Sequence, residues 1–467
     1  MAKDFIVAIE LGSSKMTGIA GRKNPDGSIS ILAVAKEDSA SYIRKGVAYN
    51  IERTAQGLSN IVSKLKNTLK TEIEQVYVGI GGQSIHSVKN SIVKELPLDC
   101  IVSQDMVNEL MDTNRSMEYK DCEILDAITQ EYNVDGHYED DPVGIQARHL
   151  EGNFLNVLWR RSFYRNLNKS LDNAGIKVAE MYLAPLTMAD CVLTEAEKRA
   201  GCLLVDLGAD TTTVSVYYRN KLRHIAVLPL GGSNVTKDLE SLQIDEINAE
   251  AMKLKHASAL TDEKDIDAEA TLPIDDDRTI LSRKFIQVVE ARMLEIVENV
   301  KYLVPHEFAD KLLGGIVLTG GGSNMKNVEK LFREVFGAEK VRIAKSTTLN
   351  INKKDSDVIL SEDGTTNTIL GLLAKGDMNC AGRAISETLF DEEEEPGSEN
   401  TVSLDPTLAA TGTGAQPAAQ TAAQPAAVAE EEEEEKAPEP HKPTKISRFF
   451  GSLKKFGSSI FEPDVNE

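Results

Sequence analysis

A carboxylate, a glycine turn and a run of hydroxylated residues follow one another in the segment Gly201 to Val216. The apolar run before Asp206 predicts a strand, Gly208 predicts a tight turn, and the β-branched residues that follow predict a second strand. Backbone N–H groups exposed in such a turn bind anions, and a nearby carboxylate can hold the hydration shell of a divalent cation. Alone this hairpin is a weak signal, because most Asp-x-Gly turns bind no phosphate.

A second copy of the pattern lies near the N-terminus, between Phe5 and Thr17. Aligning Glu10 with Asp206 places Gly12 over Gly208, at an offset of 196 residues. Internal repeats reveal architecture. Two acid-x-Gly hairpins therefore predict two related half-domains that face one cleft.

A third glycine cluster lies at Gly314 to Asn324, with the sequence GGIVLTGGGSN. An apolar strand runs into three glycines here, which lets the backbone approach a flat ligand closely. We expect a helix to follow from about Asn324 to Phe336. Two phosphate-type hairpins and a downstream TGGGS loop resemble the actin, Hsp70 and sugar-kinase superfamily.

Three segments narrow this resemblance to the FtsA family, the actin homologues of bacterial cell division. They are Pro229 to Asp238, Ala249 to His256, and Gly315 to Gly322. The resemblance spans roughly residues 4 to 380 and the C-terminal tip. It implies an α/β fold with actin-like duplicated ribonuclease-H-type domains, a small inserted α+β domain of the SHS2 type, and a disordered C-terminal tail.

The pattern of elements and the resemblance together divide the chain into segments. We expect a first lobe at 1–82 and 167–200, an inserted domain with strand-helix-strand-strand layout at 83–166, a second lobe core at 201–238 and 312–387, a helical subdomain at 239–311, a linker at 388–444 and a terminal helix at 445–461. The expected elements include strands at 29–35, 75–80, 85–89 and 91–95, helices at 51–69 and from about 103, helix-loop-helix at 167–200, largely helix at 239–304, and a closing helical segment at 367–387.

By this resemblance the chain binds ATP with Mg²⁺, and three regions would form the site. The residues that would contact the nucleotide are Gly12, Ser13, Ser14, Lys15, Asp206, Gly208, Asp210, Thr211, Thr212, Gly231, Gly232, Glu250, Lys253, Gly320, Gly321, Gly322, Ser323 and Met325. Glu10 and Asp206 would hold Mg²⁺ through water. Glu250 and Lys253, three residues apart on one helical face, would contact the ribose; a solvent-exposed ion pair is the alternative for them.

Three departures from the family pattern predict little or no ATP hydrolysis. The family usually has Asp where Glu10 stands. It usually has a small glycine where Asp210 stands, so the Asp210 carboxylate would lie against phosphate oxygens. ATP-hydrolysing relatives place Glu or Gln in the segment that corresponds to Tyr182–Pro185. This chain supplies Leu183 and Ala184 there, and neither can polarise water. We expect nucleotide binding without significant turnover, although Asp210 could also weaken ATP binding itself.

The segment 388–444 has the composition of a disordered linker. Residues 388–441 contain 14 acidic residues and one basic residue, interspersed with Ala, Gln, Pro and Gly. Such a composition cannot bury enough apolar surface to fold. As a flexible coil, it would span about 40 Å root mean square.

The C-terminal tip, Lys445 to Phe461, predicts an amphipathic helix. Its bulky apolar residues fall within about a 140° arc and its cations fall outside that arc. This arrangement suits an anionic membrane surface, and docking onto the body or onto a protein partner is the alternative. The residues expected to contact the membrane are Ile446, Arg448, Phe449, Phe450, Leu453, Lys454, Phe456 and Ile460.

Charge and cysteine content limit the function classes. The net charge is −22, and the body outside the tail is acidic, which argues against nucleic acid as a partner. The five cysteines are far apart and form no CxxC pair, so a reducing cytosol is expected. The sequence also predicts no N-terminal signal peptide and contains no apolar run of the roughly 20 residues that span a bilayer.

The resemblance implies a protein that polymerises and links the tubulin-like division protein FtsZ to the membrane. It would bind the FtsZ C-terminal peptide, recruit other division proteins, and lie peripherally on the cytoplasmic face of the bacterial inner membrane at the division site. Arg292 matches a family position suited to an acidic peptide, and the helical pattern around it predicts that it faces solvent. The alternatives are a PilM-like pilus-assembly scaffold and, less favoured, a small-molecule kinase of the same fold. An Hsp70-like chaperone would need a β-rich peptide-binding domain, and this sequence predicts none.

Overall fold

The computed structural model of the chain describes residues 4–265, 267, 269–275, 277–352 and 360–384. The N-terminal part forms strands around one long helix. Its elements are β1 (Ile6–Leu11), β2 (Lys15–Lys23), β3 (Ile29–Asp38), β4 (Ile43–Arg44), β5 (Val47–Ala48), α1 (Ile51–Leu69), β6 (Thr71–Ile73) and β7 (Val76–Ile80). The predicted helix 51–69 is confirmed; the side chain of Asn50 caps it by accepting a hydrogen bond from the Arg53 N–H at 3.0 Å.

The next segment has the expected strand-helix-strand-strand order with one additional three-residue strand, His137–Glu139. Its elements are β8 (His86–Glu95), α2 (Gln104–Arg115), β9 (Cys122–Val134), β10 (His137–Glu139) and β11 (His149–Arg160). Strand β8 is continuous, so the prediction of two short strands at 85–89 and 91–95 was wrong. One face of α2 packs against the sheet in a small core of its own that includes Leu110, Leu150 and Phe154.

The third segment crosses back to the first sheet. Its elements are α3 (Arg161–Asn173), β12 (Val178–Leu183), α4 (Ala184–Val192) and α5 (Glu195–Ala200). The sequence prediction of helix, loop and helix missed β12, which pairs in parallel with β7. Leu183 is the last residue of this strand, and α4 begins immediately after it.

The remaining described residues form the second half of the body. Their elements are β13 (Cys202–Leu207), β14 (Thr212–Tyr218), β15 (Lys221–Leu228), α6 (Gly232–Glu240), α7 (Glu246–His256), β16 (Thr271–Pro273), β17 (Thr279–Leu281), α8 (Ser282–Leu303), β18 (Gly315–Thr319), α9 (Val328–Phe336), β19 (Val341–Ile343), β20 (Ile351–Asn352), α10 (Asn367–Lys375) and β21 (Ala381–Ala384).

Three of the expected elements in this half need correction. A β-hairpin, β16–β17, interrupts the region predicted to be largely helical. The glycine loop is followed by a short 3₁₀ turn at Gly321–Asn324, so the next helix begins at Val328 and not at Asn324. The closing segment is only partly helical, because β21 follows α10 and pairs with β6.

The two large sheets repeat one strand order. The first sheet runs β12-β7-β1-β2-β3-β20, and the second runs β10-β9-β11-β8-β15-β14-β13-β18-β19. The order β3-β2-β1-β7-β12 in the first therefore matches β15-β14-β13-β18-β19 in the second. We call the elements around these two sets of five strands the first lobe and the second lobe. The expected α/β fold, with a duplicated lobe and an inserted α+β domain, is confirmed.

Equivalent residues of the repeat occupy equivalent places in the two sheets. Glu10 in β1 lies beside Gly79 of β7, and Asp206 in β13 lies beside Thr319 of β18. Both carboxylates are the penultimate residues of central strands whose preceding residues, Ile9 and Val205, are fully buried. The duplicated topology thus places an acid at the same edge of each sheet.

Candidate functional site

The first hairpin carries its acid on β1 and turns through Gly12, Ser13 and Ser14 before β2. The turn is held from outside: the Ser39 hydroxyl donates to the Gly12 carbonyl at 2.6 Å, and the Gly46 N–H donates to Ser13 Oγ at 2.8 Å. Lys15 begins β2 with an exposed side chain. These contacts fix the backbone of the turn, and the exposed position of Lys15 makes its side chain accessible to an anion in solution.

The second hairpin turns between β13 and β14 and is closed by the Gly208 N–H, which donates to the Thr211 carbonyl at 2.9 Å. The start of α6 packs directly on this turn. Its Gly232 N–H donates to the Gly208 carbonyl at 3.0 Å, and a Cβ at Gly231 would lie 2.5 Å from the Ala209 carbonyl oxygen. Glycine at 231 is therefore needed for the close approach, because real Cβ atoms are not found so near a backbone oxygen. The Thr212 hydroxyl adds a bond to the Leu230 carbonyl at 2.9 Å.

The two hairpin carboxylates are both buried, and the charge of Asp206 acts on Glu10. The pKa of Glu10 is raised to about 8, mainly by burial and in addition by the charge of Asp206, while a hydrogen bond with Thr368 opposes the rise. Burial also raises the pKa of Asp206 to about 6. Desolvated carboxylates close to one another are stabilised by a cation or by a proton. This pair therefore suits a hydrated divalent cation, although the described residues contain no group of three or more potential His, Cys, Asp or Glu ligands.

The glycine loop after β18 packs against the second hairpin. Gly320 has φ of +82°, and a Cβ there would lie 2.3 Å from Asp206 Oδ1, so no side chain fits. The buried Ser323 hydroxyl donates its hydrogen bond to the Gly320 carbonyl within the loop, at 2.7 Å. Gly321 is exposed, whereas Gly322 and Met325 are partly buried. The loop thus presents backbone and glycine surface beside the acid.

Lys253 and Glu250 form more than the simple ion pair that spacing alone would give. The Lys253 ammonium, only 11% exposed, donates to the Glu250 carboxylate at 2.6 Å, to the Thr236 hydroxyl at 2.9 Å and to the Gly232 carbonyl at 3.1 Å. The Thr236 hydroxyl also donates to Glu250 at 2.6 Å. These bonds join α7 to the start of α6, beside the second hairpin. Glu250, 45% exposed, is the more accessible of the two side chains.

Asp210, in the turn of the second hairpin, also contacts the first lobe. Its Oδ2 accepts a hydrogen bond from the backbone N–H of Lys45 at 3.1 Å, so the second hairpin contacts the first lobe through this carboxylate. The β4–β5 turn that carries Lys45 was not among the sequence-predicted site residues. Nor were Ser39, which holds the first turn, and Thr368, which bonds to Glu10. Only the Lys-Gly dipeptide at 45–46 gave a sequence signal, that of a turn.

Comparison with known proteins identifies the family. The sequence model of "Cell division protein FtsA" matches residues 203–361, and that of the "SHS2 domain inserted in FTSA" matches residues 82–158. The cell division protein FtsA of Porphyromonas gingivalis is 31% identical over 379 residues, which cover 80% of this chain and 78% of that protein. The chain belongs to the FtsA family of cell division proteins. The FtsA of Neisseria meningitidis is 29% identical over 340 residues, covering 71% of this chain and 82% of that protein.

A solved structure also shares the FtsA-family fold of this chain. The PilM–PilN type IV pilus biogenesis complex aligns with a TM-score of 0.54 at 15% identity, covering 79% of this chain and 97% of that one. At this identity the similarity concerns the fold alone. The expected membership of the FtsA family is confirmed by the sequence comparisons, and the protein is a cell division protein.

In this FtsA-family chain the segment 182–185 lies at the end of β12 and the start of α4. Leu183 and Ala184 are buried, and Ala184 lies beside Gly79 of β7. The Tyr182 hydroxyl donates to Glu180 at 2.6 Å and its ring stacks on Tyr77. No carboxylate or amide side chain is present at residues 182–185 to orient a water molecule.

Arg292 does not face solvent freely, so that prediction was wrong. The guanidinium on α8 is 22% exposed and binds the Asp238 carboxylate of α6 through two hydrogen bonds, at 2.5 and 2.9 Å, and it also contacts Glu295. Periodicity placed Arg292 outside the apolar stripe correctly, but it could not reveal that another helix supplies an acid there. An acidic ligand at this position would have to compete with Asp238.

The predicted linker 388–444 and the membrane-contacting residues from Ile446 to Ile460 lie outside the described residues. Among the helices that the structure describes, none is long and apolar enough to cross a membrane.

Proposed function

We propose that this FtsA-family protein binds ATP with Mg²⁺, polymerises, and anchors the FtsZ ring to the membrane with little or no ATP hydrolysis. It would lie peripherally on the cytoplasmic face of the inner membrane at the division site, bind the FtsZ C-terminal peptide, and recruit other division proteins. Family membership supports the division role. The acidic linker and the amphipathic tip of the sequence support the anchor.

One observation carries the nucleotide proposal: three distant chain segments converge on a pair of buried carboxylates. Glu10 and Asp206 come from duplicated hairpins, and Gly320 packs directly on Asp206. Turns with exposed amides suit phosphates, and a glycine-lined loop suits a flat ring. Carboxylates with a purely structural role would not require a glycine at the point where the loop comes closest to Asp206.

The carboxylate pair fits a divalent cation held through water. Mg²⁺ would supply positive charge that offsets both the two acids and the nucleotide phosphates. Lys15, Ser14 and the amides of the two turns would then orient the phosphates. The bulk of Glu10, one methylene longer than the usual Asp, would place its carboxylate closer to the cation's waters.

The lack of a carboxylate or amide side chain at residues 182–185 supports the proposal of weak turnover. Hydrolysis needs a carboxylate or amide within hydrogen-bonding reach of the attacking water. Leu183 and Ala184 stand in the segment where relatives that hydrolyse ATP place such a residue. The neighbouring Tyr182 hydroxyl is already bonded to Glu180.

Isothermal titration calorimetry with Mg-ATP and Mg-ADP tests the site. Asp206→Asn should weaken Mg-nucleotide binding at least tenfold, because it removes one of the two metal-facing charges. Glu246→Gln removes one exposed charge from the same lobe and should leave binding unchanged. Phosphate release by the wild type should remain near background. Wild-type protein that fails to bind either nucleotide, or that turns ATP over rapidly, would contradict the corresponding part of the proposal.

Vesicle pelleting with FtsZ tests the anchor. Full-length protein should carry FtsZ down with anionic vesicles, whereas protein lacking residues 445–467 should leave FtsZ in the supernatant. FtsZ without its C-terminal peptide should also remain soluble. Pelleting that is independent of residues 445–467 would exclude the anchor and would favour a scaffold of the PilM type.

A further inference from the structure

The β4–β5 turn has two amides that its own hairpin does not use. Arg44 pairs with Val47, and the two residues between them, Lys45 and Gly46, have φ of 50° and 72°. Positive φ at both central residues is the pattern of a type I′ turn. In such a turn the closing bond uses the outer residues, so the N–H groups of Lys45 and Gly46 are free to bind other groups.

This turn contacts both hairpins of the proposed nucleotide site. The Lys45 N–H donates to Asp210 Oδ2 in the second hairpin at 3.1 Å. The adjacent Gly46 N–H donates to Ser13 Oγ in the first hairpin at 2.8 Å. Two consecutive amides therefore bind one oxygen from each of the two hairpins. Both bonds can be kept only while the hairpins stay at their present separation.

The same turn contacts the start of the inserted α+β domain. The Gln83 N–H donates to the Lys45 carbonyl at 2.8 Å. A Cβ at Gly46 would lie 2.4 Å from Gly82 Cα, and a Cβ at Gly82 would lie 2.5 Å from the Gly46 carbonyl oxygen. With backbone packed this closely on backbone, a displacement of the turn must displace residues 82–83 as well.

Both ends of the inserted domain meet at this point. The indole N–H of Trp159, near the end of β11, donates to the Gln83 carbonyl at 3.1 Å, and the Arg160 N–H donates to Ser84 Oγ at 3.3 Å. Trp159 is 2% exposed. A chain of hydrogen bonds thus runs from Asp210 through Lys45 and Gln83 to Trp159.

We propose that Asp210 acts as an internal anion that binds the Lys45–Gly46 turn until nucleotide phosphate displaces it, and that the turn transmits this exchange to the inserted domain. The inference rests on the proposed nucleotide site and adds its regulation. A carboxylate in a phosphate-binding turn repels phosphate, so the nucleotide must move Asp210 aside. The charge-assisted bond to the Lys45 amide is then lost. The turn is freed, and Gln83 and Trp159 move with it.

Trp159 is the chain's one tryptophan, so its emission reports on the root of the inserted domain without a label. We would titrate the full-length wild type, Asp210→Ala and Asp210→Asn with Mg-ATP, following Trp emission and, separately, calorimetry. The wild type should show a saturable change in emission with the same midpoint as the calorimetric binding curve. Circular dichroism melts would confirm that the variants fold.

The two variants separate charge from contact. Both variants remove the repulsion between Asp210 and phosphate, so both should bind nucleotide at least about fivefold more tightly. This is the factor expected in water when the repulsion between two unit charges about 4 Å apart is removed. Asp210→Asn keeps an acceptor for the Lys45 N–H and should retain the change in Trp emission. Asp210→Ala has no acceptor, so its free-state emission should already resemble that of the nucleotide-bound wild type, and nucleotide should change it little.

The outcomes distinguish this inference from the proposed function. If calorimetry detects no nucleotide binding by the wild type or by either variant, the nucleotide site itself fails. If nucleotide binds but Trp159 emission does not change, or if Asp210→Ala neither tightens binding nor abolishes the response, the nucleotide site stands and the role of Asp210 and the turn is overturned.

Discussion

Gly320 shows how a single backbone position can define the candidate site. Replacing it with Ala should lower the free energy of unfolding by about 2–4 kcal/mol, because the energetic cost of a left-handed φ adds to the cost of a steric clash with Asp206. Gly337→Ala is the matched control: its φ is +64°, but no atom lies within 4 Å of the added Cβ. Urea unfolding should show a loss of only about 1–2 kcal/mol there. Equal losses for the two variants would mean that the contact between Gly320 and Asp206 is unimportant.

Lys253 tests whether a sequence-predicted ligand residue also supports the fold. Lys253→Met would leave the Glu250 carboxylate, the Thr236 hydroxyl and the Gly232 carbonyl without their shared donor. We expect a loss of about 1–3 kcal/mol in unfolding free energy. Lys255→Met, on an exposed part of the same helix, should change stability by less than about 0.5 kcal/mol. If Lys253→Met is as stable as the wild type but binds nucleotide weakly, Lys253 contributes to ligand binding and not to the stability of the fold.

At the residue scale, spacing revealed the acids but not their partners. Glu10 and Asp206 could be predicted because the repeat places each at the end of an apolar strand. The contact of Asp210 with Lys45 joins residues 165 positions apart, and periodicity carries no information at that distance. The same limit applies to Lys253, for which the i,i+3 rule predicts Glu250 but not the carbonyl of Gly232.

Between elements, the Arg292–Asp238 pair joins α8 to α6. Because both side chains are less than about one-third exposed and the contact is bidentate, we expect a coupling energy of about 1 kcal/mol or more in a double-mutant cycle of Arg292→Ala and Asp238→Ala. Arg283→Ala, exposed on the same helix, should show no coupling to Asp238. If Arg292 also receives an acidic FtsZ peptide, Asp238→Ala should tighten that binding; weaker binding would exclude direct competition.

Glu197 gives a second element-scale prediction, in pH dependence. Burial alone would raise the pKa of Glu197, but hydrogen bonds from Arg342 of β19 and from Thr194 outweigh it and hold the pKa below its usual range. The resulting stability is present above the pKa of an unfolded Glu and is lost as pH falls through the lower folded pKa. Glu197→Gln should cost about 1–2 kcal/mol at pH 7 and flatten the fall in stability below about pH 4.5. An unchanged acid limb would contradict this role.

Predictability of elements depended on their length and regularity. Helix α1 has a long 3.6-residue period and a capping Asn, so its limits could be read from the sequence. Strand β12 is six residues with a mixed pattern, and its strand conformation comes from pairing with β7, a tertiary contact. Strand β21 likewise exists because β6 lies beside it.

At the scale of the whole molecule, the repeat explains more than the two acids. The shared strand order makes Gly81–Gly82, after β7, the counterpart of glycines in the loop after β18, because Glu10 pairs beside Gly79 as Asp206 does beside Thr319. In the first lobe Gly82 packs against Gly46 of the β4–β5 turn, whereas a Cβ at Gly81 would meet no atom within 4 Å. The sequence could predict two lobes, but not that the inserted strands extend the second sheet, since β8 joins β15 only at the His86–Ala226 pair.

Assembly and membrane residence should be coupled in the full-length protein. If the tip inserts as proposed, each buried aromatic side chain would contribute roughly 1.5–3 kcal/mol, but ordering Gly451 and Gly457 into a helix would cost about 1 kcal/mol apiece, so one anchor should bind reversibly. A filament of the proposed kind would present many anchors and would gain by avidity. Binding to anionic vesicles should therefore rise more steeply with protein concentration than a simple hyperbola, with the onset at the concentration where pelleting without vesicles first detects polymer.

Two variants of the tip provide the control for that measurement. Phe449→Glu places a charge within the apolar arc and should abolish vesicle binding at every concentration. Ser459→Glu adds the same charge on the polar side, by the 3.6-residue period, and should only weaken binding to anionic lipid. A hyperbolic curve for the wild type would show that each chain binds alone, and the avidity of filaments would then contribute nothing to anchoring.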